Sequence, residues 1–279
     1  MNRKAIIISI SGYKLSLREK RLIKKEKPWG IILFKRNIKT LNQAKKLTYE
    51  IRKTLNDANY PILIDEEGGK VSRLNKLFNN QIFSQKLFGD IYLRNTSISI
   101  KLYEKYIVSL IKILKQIGVN INTVPVLDVL HNNTHKVIGS RSYSNKINII
   151  KKLGNICVSF YKKNKLSTII KHIPGHGSAS SDSHIILPIV RKKYKRLLNS
   201  DFKCFTGINS HLAMTAHVLY SSLDTVNCVS HSRKIINSII RKKIKFKGIL
   251  ISDDISMKAL KYNLIENSNK AIQAGCNLT

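Results

Sequence analysis

The residues best suited to acid–base chemistry come at the ends of short apolar runs. The chain holds only 16 acidic side chains, and seven of them end or follow such a run: Asp65, Glu66, Glu67, Asp128, Asp182, Asp253 and Asp254. Four histidines are placed in the same way: His172, His176, His184 and His217. A single acid at the end of a strand is as often just the N-cap of the next helix. Carboxylates and imidazoles at several strand ends together favour proton-transfer or glycosyl chemistry.

The apolar runs that must position these residues alternate with amphipathic segments along the chain. Eight runs are apolar throughout and rich in β-branched residues: Ala5–Ser11, Gly30–Phe34, Pro61–Asp65, Asn120–Val129, Ser167–His172, Leu212–His217, Gly248–Asp254 and Cys276–Thr279. Such strands, separated by helices, indicate a parallel sheet buried on both faces. Eight of them favour an α/β fold of the (β/α)8 TIM-barrel type, with its active site at the carboxyl ends of the strands. No linker or change in composition divides the chain, so we predict a single domain, residues 1–279.

The segments between the runs have helical spacing. Ser16, followed three residues later by Glu19, has the pattern of a capping box at the start of the first helix. Further helices are predicted at Leu41–Leu55, Ile98–Ile117, Ile147–Tyr161 and Ser232–Ile244.

Charge and composition argue against several other classes of protein. The formal net charge is +34, but the basic residues are dispersed, and their local runs, Arg191–Arg196 and Arg241–Lys247, contain apolar residues at helical spacing. This is typical of solvated helix faces and not of a specific nucleic-acid site. No apolar run approaches the roughly 18 residues of a membrane span. The four cysteines form no C-x-x-C pair, so we expect a reduced, cytoplasmic protein.

Three other chemistries have weaker support. His172 and His176 are spaced like zinc ligands on a helix, but Pro174 and Gly175 break the helix and no Glu follows His172. Gly68-Gly69-Lys70 matches a phosphate loop only in part, and no G-x-S-x-G elbow of a serine hydrolase is present. We therefore predict no metal site and no cofactor.

A series of motifs extends over nearly the whole chain. The motifs are Gly30–Asn37 (GIILFKRN), Ile64–Arg73 (IDEEGGKVSR), Val124–Val129 (VPVLDV), Ile138–Ser144 (IGSRSYS), Lys171–Gly177 (KHIPGHG), Asp182–His184 (DSH), Met214–His217 (MTAH), Ser252–Met257 (SDDISM) and Ala274–Cys276 (AGC). Through them the sequence resembles the bacterial β-N-acetylhexosaminidases of glycoside hydrolase family 3, the single-domain type used in peptidoglycan recycling. The KHIPGHG motif with the DSH that follows it is the most specific part.

The resemblance implies hydrolysis with retention through a covalent glycosyl-enzyme. Asp253 takes the position of the family's nucleophile, and a carboxylate suits attack through an oxocarbenium-like transition state. Asp254 remains a rival, because alternation along a strand would turn the two side chains in different directions. The implied acid–base group is His184, since an imidazole can donate and accept a proton near neutral pH. Asp182 would orient its ring and stabilise its charged form.

The resemblance also implies the residues that bind the sugar. Asp65 would accept hydrogen bonds from hydroxyl groups of N-acetylglucosamine. Four side chains would donate to hydroxyl groups, to the acetamido group or to the neighbouring sugar: Arg73, Arg141, Lys171 and His172. His176 and His217 are expected to support the loop and strands around them.

The end of the chain departs from the resemblance. Cys276–Thr279 has the pattern of the first residues of an eighth strand, whereas the resembling enzymes continue through that strand to a closing helix. We therefore expect a barrel truncated in strand eight, without its C-terminal closing helix. Such a barrel would leave strand edges and apolar surface uncovered.

Two functions follow from these observations. The first is a β-N-acetylglucosaminidase that removes terminal N-acetylglucosamine from cytoplasmic cell-wall fragments ending in anhydro-N-acetylmuramic acid, as the resemblance implies. We expect it to act as a monomer on a carbohydrate substrate, with no specific nucleic acid and no membrane as partner. The alternative is a catalytically inactive homologue that binds sugar or polyanions.

Overall fold

The computed structural model describes residues 3–279, in which strands and helices alternate along most of the chain. The strands are β1 (Lys4–Ser9), β2 (Pro28–Leu33), β3 (Ile62–Ile64), β4 (Ile121–Asn122), β5 (Ser167–Ile173), β6 (Ile189–Val190), β7 (Leu212–Thr215), β8 (Leu219–Tyr220) and β9 (Ile249–Ile251). The helices are α1 (Leu17–Glu26), α2 (Leu41–Leu55), α3 (Gln85–Arg94), α4 (Thr96–Gln116), α5 (Ile147–Lys163), α6 (Tyr194–Asn199), α7 (Arg233–Ile235, continued as a π-helix over Ile236–Lys243) and α8 (Leu264–Ala274).

Seven parallel strands pair in one sheet, in the order β1-β2-β3-β4-β5-β7-β9. This confirms the prediction of an α/β fold with a parallel sheet. The strand predicted at Asn120–Val129 is much shorter than expected, because regular pairing ends at Asn122 and Val126 forms only an isolated bridge to Lys171. Pro125 has no N–H group to continue the ladder. β6 and β8 form a separate parallel pair, which the sequence analysis did not predict.

Two residues at the end of the chain lie between the outer strands of the sheet. On one side, the backbone N–H of Ser252 donates to the carbonyl of Leu278 at 2.9 Å. On the other side, Ile7 N donates to Thr279 O at 2.7 Å and Thr279 N donates to Ala5 O at 3.2 Å. Leu278 and Thr279, which lie within the run predicted as an eighth strand, thus link β9 to β1 through backbone hydrogen bonds.

The two faces of the sheet pack into separate apolar clusters. In β3, Ile62 and Ile64 belong to the larger cluster, which fills the space between the strands and the helices, and Leu63 belongs to the smaller one. This alternation follows from the two-residue period of a strand. The smaller cluster draws on strands across the whole sheet: Leu63, Ile121, Ile169, Leu212, Ile251 and Leu278, with Ile7, Trp29, Ile32 and Met214 packed against them. Because strands from both edges share one cluster, the sheet curls around it.

The helices agree closely with their sequence patterns. The capping box is formed, with Ser16 Oγ accepting from Glu19 N and Glu19 Oε2 accepting from Ser16 N. Helix α2 has the predicted bounds, and α4 and α5 differ from theirs by one or two residues. Within residues 3–279, none of the helices combines the length and apolar character needed to cross a bilayer.

Candidate active site

A cavity of about 310 Å³ opens at the carboxyl ends of the strands of the curled sheet. Of the eight site residues predicted from the sequence, seven line this cavity: Asp65, Arg73, Arg141, Lys171, His172, His184 and Asp253. The eighth, Asp182, lies next to the cavity and contacts His184. The structure thus brings together residues that are up to 188 positions apart in the sequence.

Asp65 follows β3 and is held by cationic and hydroxyl donors. Its carboxylate accepts from Arg73 Nη2 at 3.0 Å, from Lys171 Nζ at 3.1 Å and from the hydroxyl of Thr123. Burial alone would raise the pKa of Asp65, but the charges of Lys171 and Arg73 outweigh it and hold this pKa below its usual range. Asp65 is therefore an ionised acceptor at the cavity wall.

Glu67 is a component of the site that the sequence analysis did not assign to it. Its carboxylate accepts from Arg141 Nε at 2.8 Å and Nη2 at 2.9 Å, and it lies 2.6 Å from Lys171 Nζ. The Glu67 side chain is 1% exposed and that of Lys171 is 3% exposed, so these charges compensate one another out of contact with water. Burial would raise the pKa of Glu67, but Arg141 and Lys171 lower it to about 2.

His172 is fixed by a buried carboxylate, that of Asp128. Its Nδ1 lies 2.7 Å from Asp128 Oδ2, and its Nε2 lies 3.3 Å from Arg141 Nη2. The ionised carboxylate of Asp128 can only accept, so His172 Nδ1 donates this hydrogen bond. Asp128 also accepts from the backbone N–H of His176 at 2.6 Å. Asp128 therefore positions the loop after β5 as well as the His172 ring.

Asp253 and Asp254 follow β9, and their side chains have different surroundings. Asp254 Oδ1 accepts from the backbone N–H of Ser256 at 2.8 Å and from its hydroxyl at 2.6 Å, so this carboxylate caps a turn. Asp253 is half-buried at the cavity wall, and Oδ1 accepts from the backbone N–H of Asp254. Burial would raise the pKa of Asp253, but His217 and His172 are the main groups that lower it below its usual range.

His184 lies in the loop between β5 and β6. Its Nδ1 lies 2.9 Å from Asp182 Oδ1, which also accepts the backbone N–H of His184. The imidazole is 63% exposed, so Nε2 is accessible from the cavity, which His184 lines. Burial would raise the pKa of Asp182, but its hydrogen bonds with His184 lower it. An ionised Asp182 accepts from His184 Nδ1 and so orients the ring.

His176 is a buried residue of the cavity lining, and His217 is buried beside the cavity. His217 Nε2 donates to the carbonyl of Asp254 at 3.0 Å, and Nδ1 lies 2.8 Å from the Ser230 hydroxyl. His176 stacks edge-on against His172, with ring centroids 5.7 Å apart. Burial and the nearby His172 lower the pKa of His176 to about 4, so its ring is neutral near pH 7. Both rings contact residues that line the cavity.

The site therefore combines an accessible ionised carboxylate, an exposed imidazole with a carboxylate partner, and a wall of compensated charges. Among residues 3–279, no three His, Cys, Asp or Glu side chains form a cluster that could hold a metal ion.

Comparison with known proteins identifies the family. Residues 4–279 match the family model described as the glycosyl hydrolase family 3 N-terminal domain. Since the match covers nearly the whole chain, the protein belongs to this family of glycoside hydrolases.

Relatives and solved structures agree with this assignment. A β-hexosaminidase of Nitrosomonas eutropha is 29% identical over 280 residues, which are 98% of this chain and 79% of the relative. The structure of NagZ from Neisseria gonorrhoeae in complex with N-trifluoroacetyl-D-glucosamine superposes with a TM-score of 0.90 at 28% identity, covering 99% of this chain and 80% of that one. A family 3 β-N-acetylglucosaminidase from Paenibacillus gives a TM-score of 0.90 at 27% identity, covering 98% of this chain and 52% of that one.

Proposed function

We propose that the protein is a retaining β-N-acetylhexosaminidase that removes terminal N-acetylglucosamine through a covalent glycosyl-enzyme. The observation that carries this proposal is the shared cavity, in which Asp253 and His184 face the same space as the charged groups around Asp65. The names of the relatives support N-acetylglucosamine as the sugar.

In the first step, a carboxylate oxygen of Asp253 attacks the anomeric carbon. The bond from that carbon to the leaving oxygen breaks, and His184 Nε2 gives its proton to this oxygen. Asp182 accepts from Nδ1 and stabilises the imidazolium that donates the proton. The low pKa of Asp253 keeps the nucleophile ionised, while the oxocarbenium-like transition state gains from its negative charge.

In the second step, the neutral His184 ring accepts a proton from water. The water oxygen bonds to the anomeric carbon and the bond to Asp253 breaks, so that the free sugar leaves and both side chains return to their starting states. Two inversions at one carbon retain its configuration. Asp65 would accept hydrogen bonds from sugar hydroxyl groups. The hydroxyl and acetamido oxygens would be contacted by Arg73, Arg141, Lys171 and His172.

Closure of the curled sheet into a barrel is part of the same proposal. We propose that Leu278 and Thr279 occupy the position of an eighth strand, so that the curled sheet has the topology of a (β/α)8 barrel. Their hydrogen bonds to both outer strands support this reading. A role in peptidoglycan recycling, with cytoplasmic muropeptides as substrates and a monomeric enzyme, follows from the resemblance and completes the proposal.

The first test is hydrolysis of 4-nitrophenyl N-acetyl-β-D-glucosaminide by the wild-type protein and by two matched variants. Asp253→Asn should lower kcat by about 10³-fold or more, as expected for loss of a group that acts in the transition state. Asp254→Asn should cost less than about tenfold, because its amide oxygen can still accept the two bonds from Ser256.

Two further outcomes are informative. Azide added to Asp253→Ala should give an N-acetylglucosaminyl azide of α configuration, because azide would enter from the face that the carboxylate has vacated. If the wild-type protein is folded and gives no turnover, the catalytic proposal is wrong and the sugar- or polyanion-binding alternative gains support. Binding of a polyanion would then weaken steeply with salt and would not depend on Asp253.

A further inference from the structure

Ser183 differs from its neighbours in the loop that carries His184. Every other residue of the segment 180–187 is exposed or half-buried, whereas Ser183 is 4% exposed. The two isoleucines that follow, Ile185 and Ile186, are 64% and 55% exposed. Burial of apolar side chains therefore does not hold this part of the loop in place.

Ser183 makes two contacts with different parts of the fold. Its hydroxyl oxygen lies 3.3 Å from His176 Nε2, in the segment that follows β5. Its carbonyl accepts from the backbone N–H of Ala259 at 3.1 Å. Ala259 is 2% exposed and belongs to the segment after β9 that begins with Asp253. One residue thus connects the loop of His184 to both of the segments that border it.

We propose that Ser183 is a positioning residue that fixes His184 relative to Asp253, an inference that rests on the acid–base role proposed for His184. Ser183 stands between Asp182 and His184 in the chain, so its two contacts restrain both members of the pair. Loss of the hydroxyl would leave the loop attached here through the Ala259 contact alone. The imidazole would then be less often in line with the leaving oxygen, and catalysis is sensitive to errors of about 1 Å in such alignment.

The test uses leaving groups that differ in their need for a proton. A dinitrophenyl leaving group departs without protonation, whereas a methyl β-N-acetylglucosaminide or a disaccharide must be protonated by His184. We expect Ser183→Ala to lower kcat/KM by about tenfold for the alkyl substrates and by less than about twofold for the dinitrophenyl substrate. A serine that merely stabilised the fold would lower both values equally, and that result would overturn the proposal.

A matched control comes from the same loop. Ser180 is exposed, and Ser180→Ala makes the same chemical change without touching the contacts of Ser183. We expect Ser180→Ala to retain wild-type kcat/KM with both classes of substrate. A selective loss in this variant as well would show that any change in the loop has the same effect, and the assignment to Ser183 would be wrong.

Hydrogen exchange separates the inference from the proposed function. Three amides of the loop donate to Asp182: those of His184, Ile185 and Ile186. Ser183→Ala should accelerate the hydrogen exchange of these amides by about fivefold, because the loss of one hydrogen bond makes local opening of the loop easier by about that factor. If the wild-type protein proves inactive while this acceleration is seen, the proposed function fails and the structural contact stands. Unchanged exchange would contradict the contact itself, whatever the activity.

Discussion

At the scale of single residues, the charges at the cavity wall compensate one another across strands that are far apart in the sequence. Arg73 pairs with Asp65, Arg141 pairs with Glu67, and Lys171 lies between the two carboxylates. Three cations thus face two anions at the cavity wall. A sugar hydroxyl entering this wall would meet donors and acceptors that are already oriented.

The first prediction at this scale concerns Glu67. Glu67→Gln removes the negative charge that Arg141 and Lys171 share, and leaves the three cations of the wall with Asp65 as their one anion. Because breaking a buried pair is costly, we expect the free energy of unfolding to fall by about 3 kcal/mol. We also expect KM for the aryl glycoside to rise, since Arg141 and Lys171 lose their common anchor. Urea unfolding and steady-state kinetics measure the two effects.

A surface pair provides the control for Glu67. Glu50 pairs with Lys20, and both side chains are 35% exposed, so Glu50→Gln should change the free energy of unfolding by less than about 1 kcal/mol. Equal losses of unfolding free energy in the two variants would mean that the buried pairing of Glu67 stabilises the fold no more than a surface pair does.

Sequence motifs and buried pairings differ in how well they can be predicted. The motifs indicated the seven predicted residues that line the cavity, because each lies within a motif that the sequence shares with the family it resembles. They did not assign Glu67 or Asp128 to the site. The partner of Glu67 is 74 residues away in the sequence and that of Asp128 is 44 residues away. Their importance follows from burial against those partners, which local patterns do not encode.

At the scale of secondary structure, helices were more predictable than strands. Caps and a 3.6-residue period extend over many residues, so the bounds of α2 followed from Leu41–Leu55 without error. The apolar pattern of Asn120–Val129 did not show where β4 ends, because regular pairing stops at Asn122, ahead of Pro125, which has no N–H group to donate. Helices α3, α6 and α8 were not predicted; the sequence of α8, LIENSNKAIQA, contains two asparagines and a serine, which have low helix propensity and weaken its pattern.

The prediction at this scale tests the link between β9 and β1. Leu278 is 4% exposed and belongs to the cluster enclosed by the sheet. Leu278→Ala should lower the free energy of unfolding by about 2–3 kcal/mol, because it leaves a cavity among side chains from several strands. Exchange of the Ile7 amide, which donates to Thr279, should also accelerate. If the last residues were only loosely attached, neither value would change.

An exposed leucine of similar sequence context serves as the control. Leu264 opens helix α8 and is 55% exposed. Leu264→Ala should change the free energy of unfolding by less than about 0.5 kcal/mol. A comparable loss at both positions would indicate that Leu278 is not packed as the structure describes.

At the scale of the whole molecule, the positive charge and the buried imidazoles both affect stability in acid. A net charge of +34 favours expansion of the chain through self-repulsion. Three histidines have a lowered pKa, and burial is the largest cause for each: His176 and His217, which are buried, and His231, which is half-buried. These effects can be separated, because salt screens the repulsion between exposed charges far more than it affects buried rings.

The last prediction follows from the direction of these pKa shifts. The pKa of His176 and that of His231 are each lowered to about 4, whereas an imidazole in the unfolded chain has a pKa of about 6.5. Between these values the unfolded chain binds protons that the folded protein does not bind, so stability is complete above about pH 6.5 and falls as the pH decreases toward 4. A shift of this size corresponds to about 3 kcal/mol for a fully buried ring.

Urea unfolding at pH 7.0 and pH 4.5 in 0.5 M salt would measure this loss. His231→Gln removes one of the titrating rings away from the cavity, and it should reduce the difference between the two free energies by about 2 kcal/mol, less than the full value because the ring is only partly buried. His211 is exposed, so His211→Gln should leave the difference at its wild-type value. If His231 is held neutral in the folded protein, its protonation on unfolding must contribute to the pH dependence in this range. An equal pH dependence in wild type and His231→Gln would therefore show that the acid sensitivity arises from other groups.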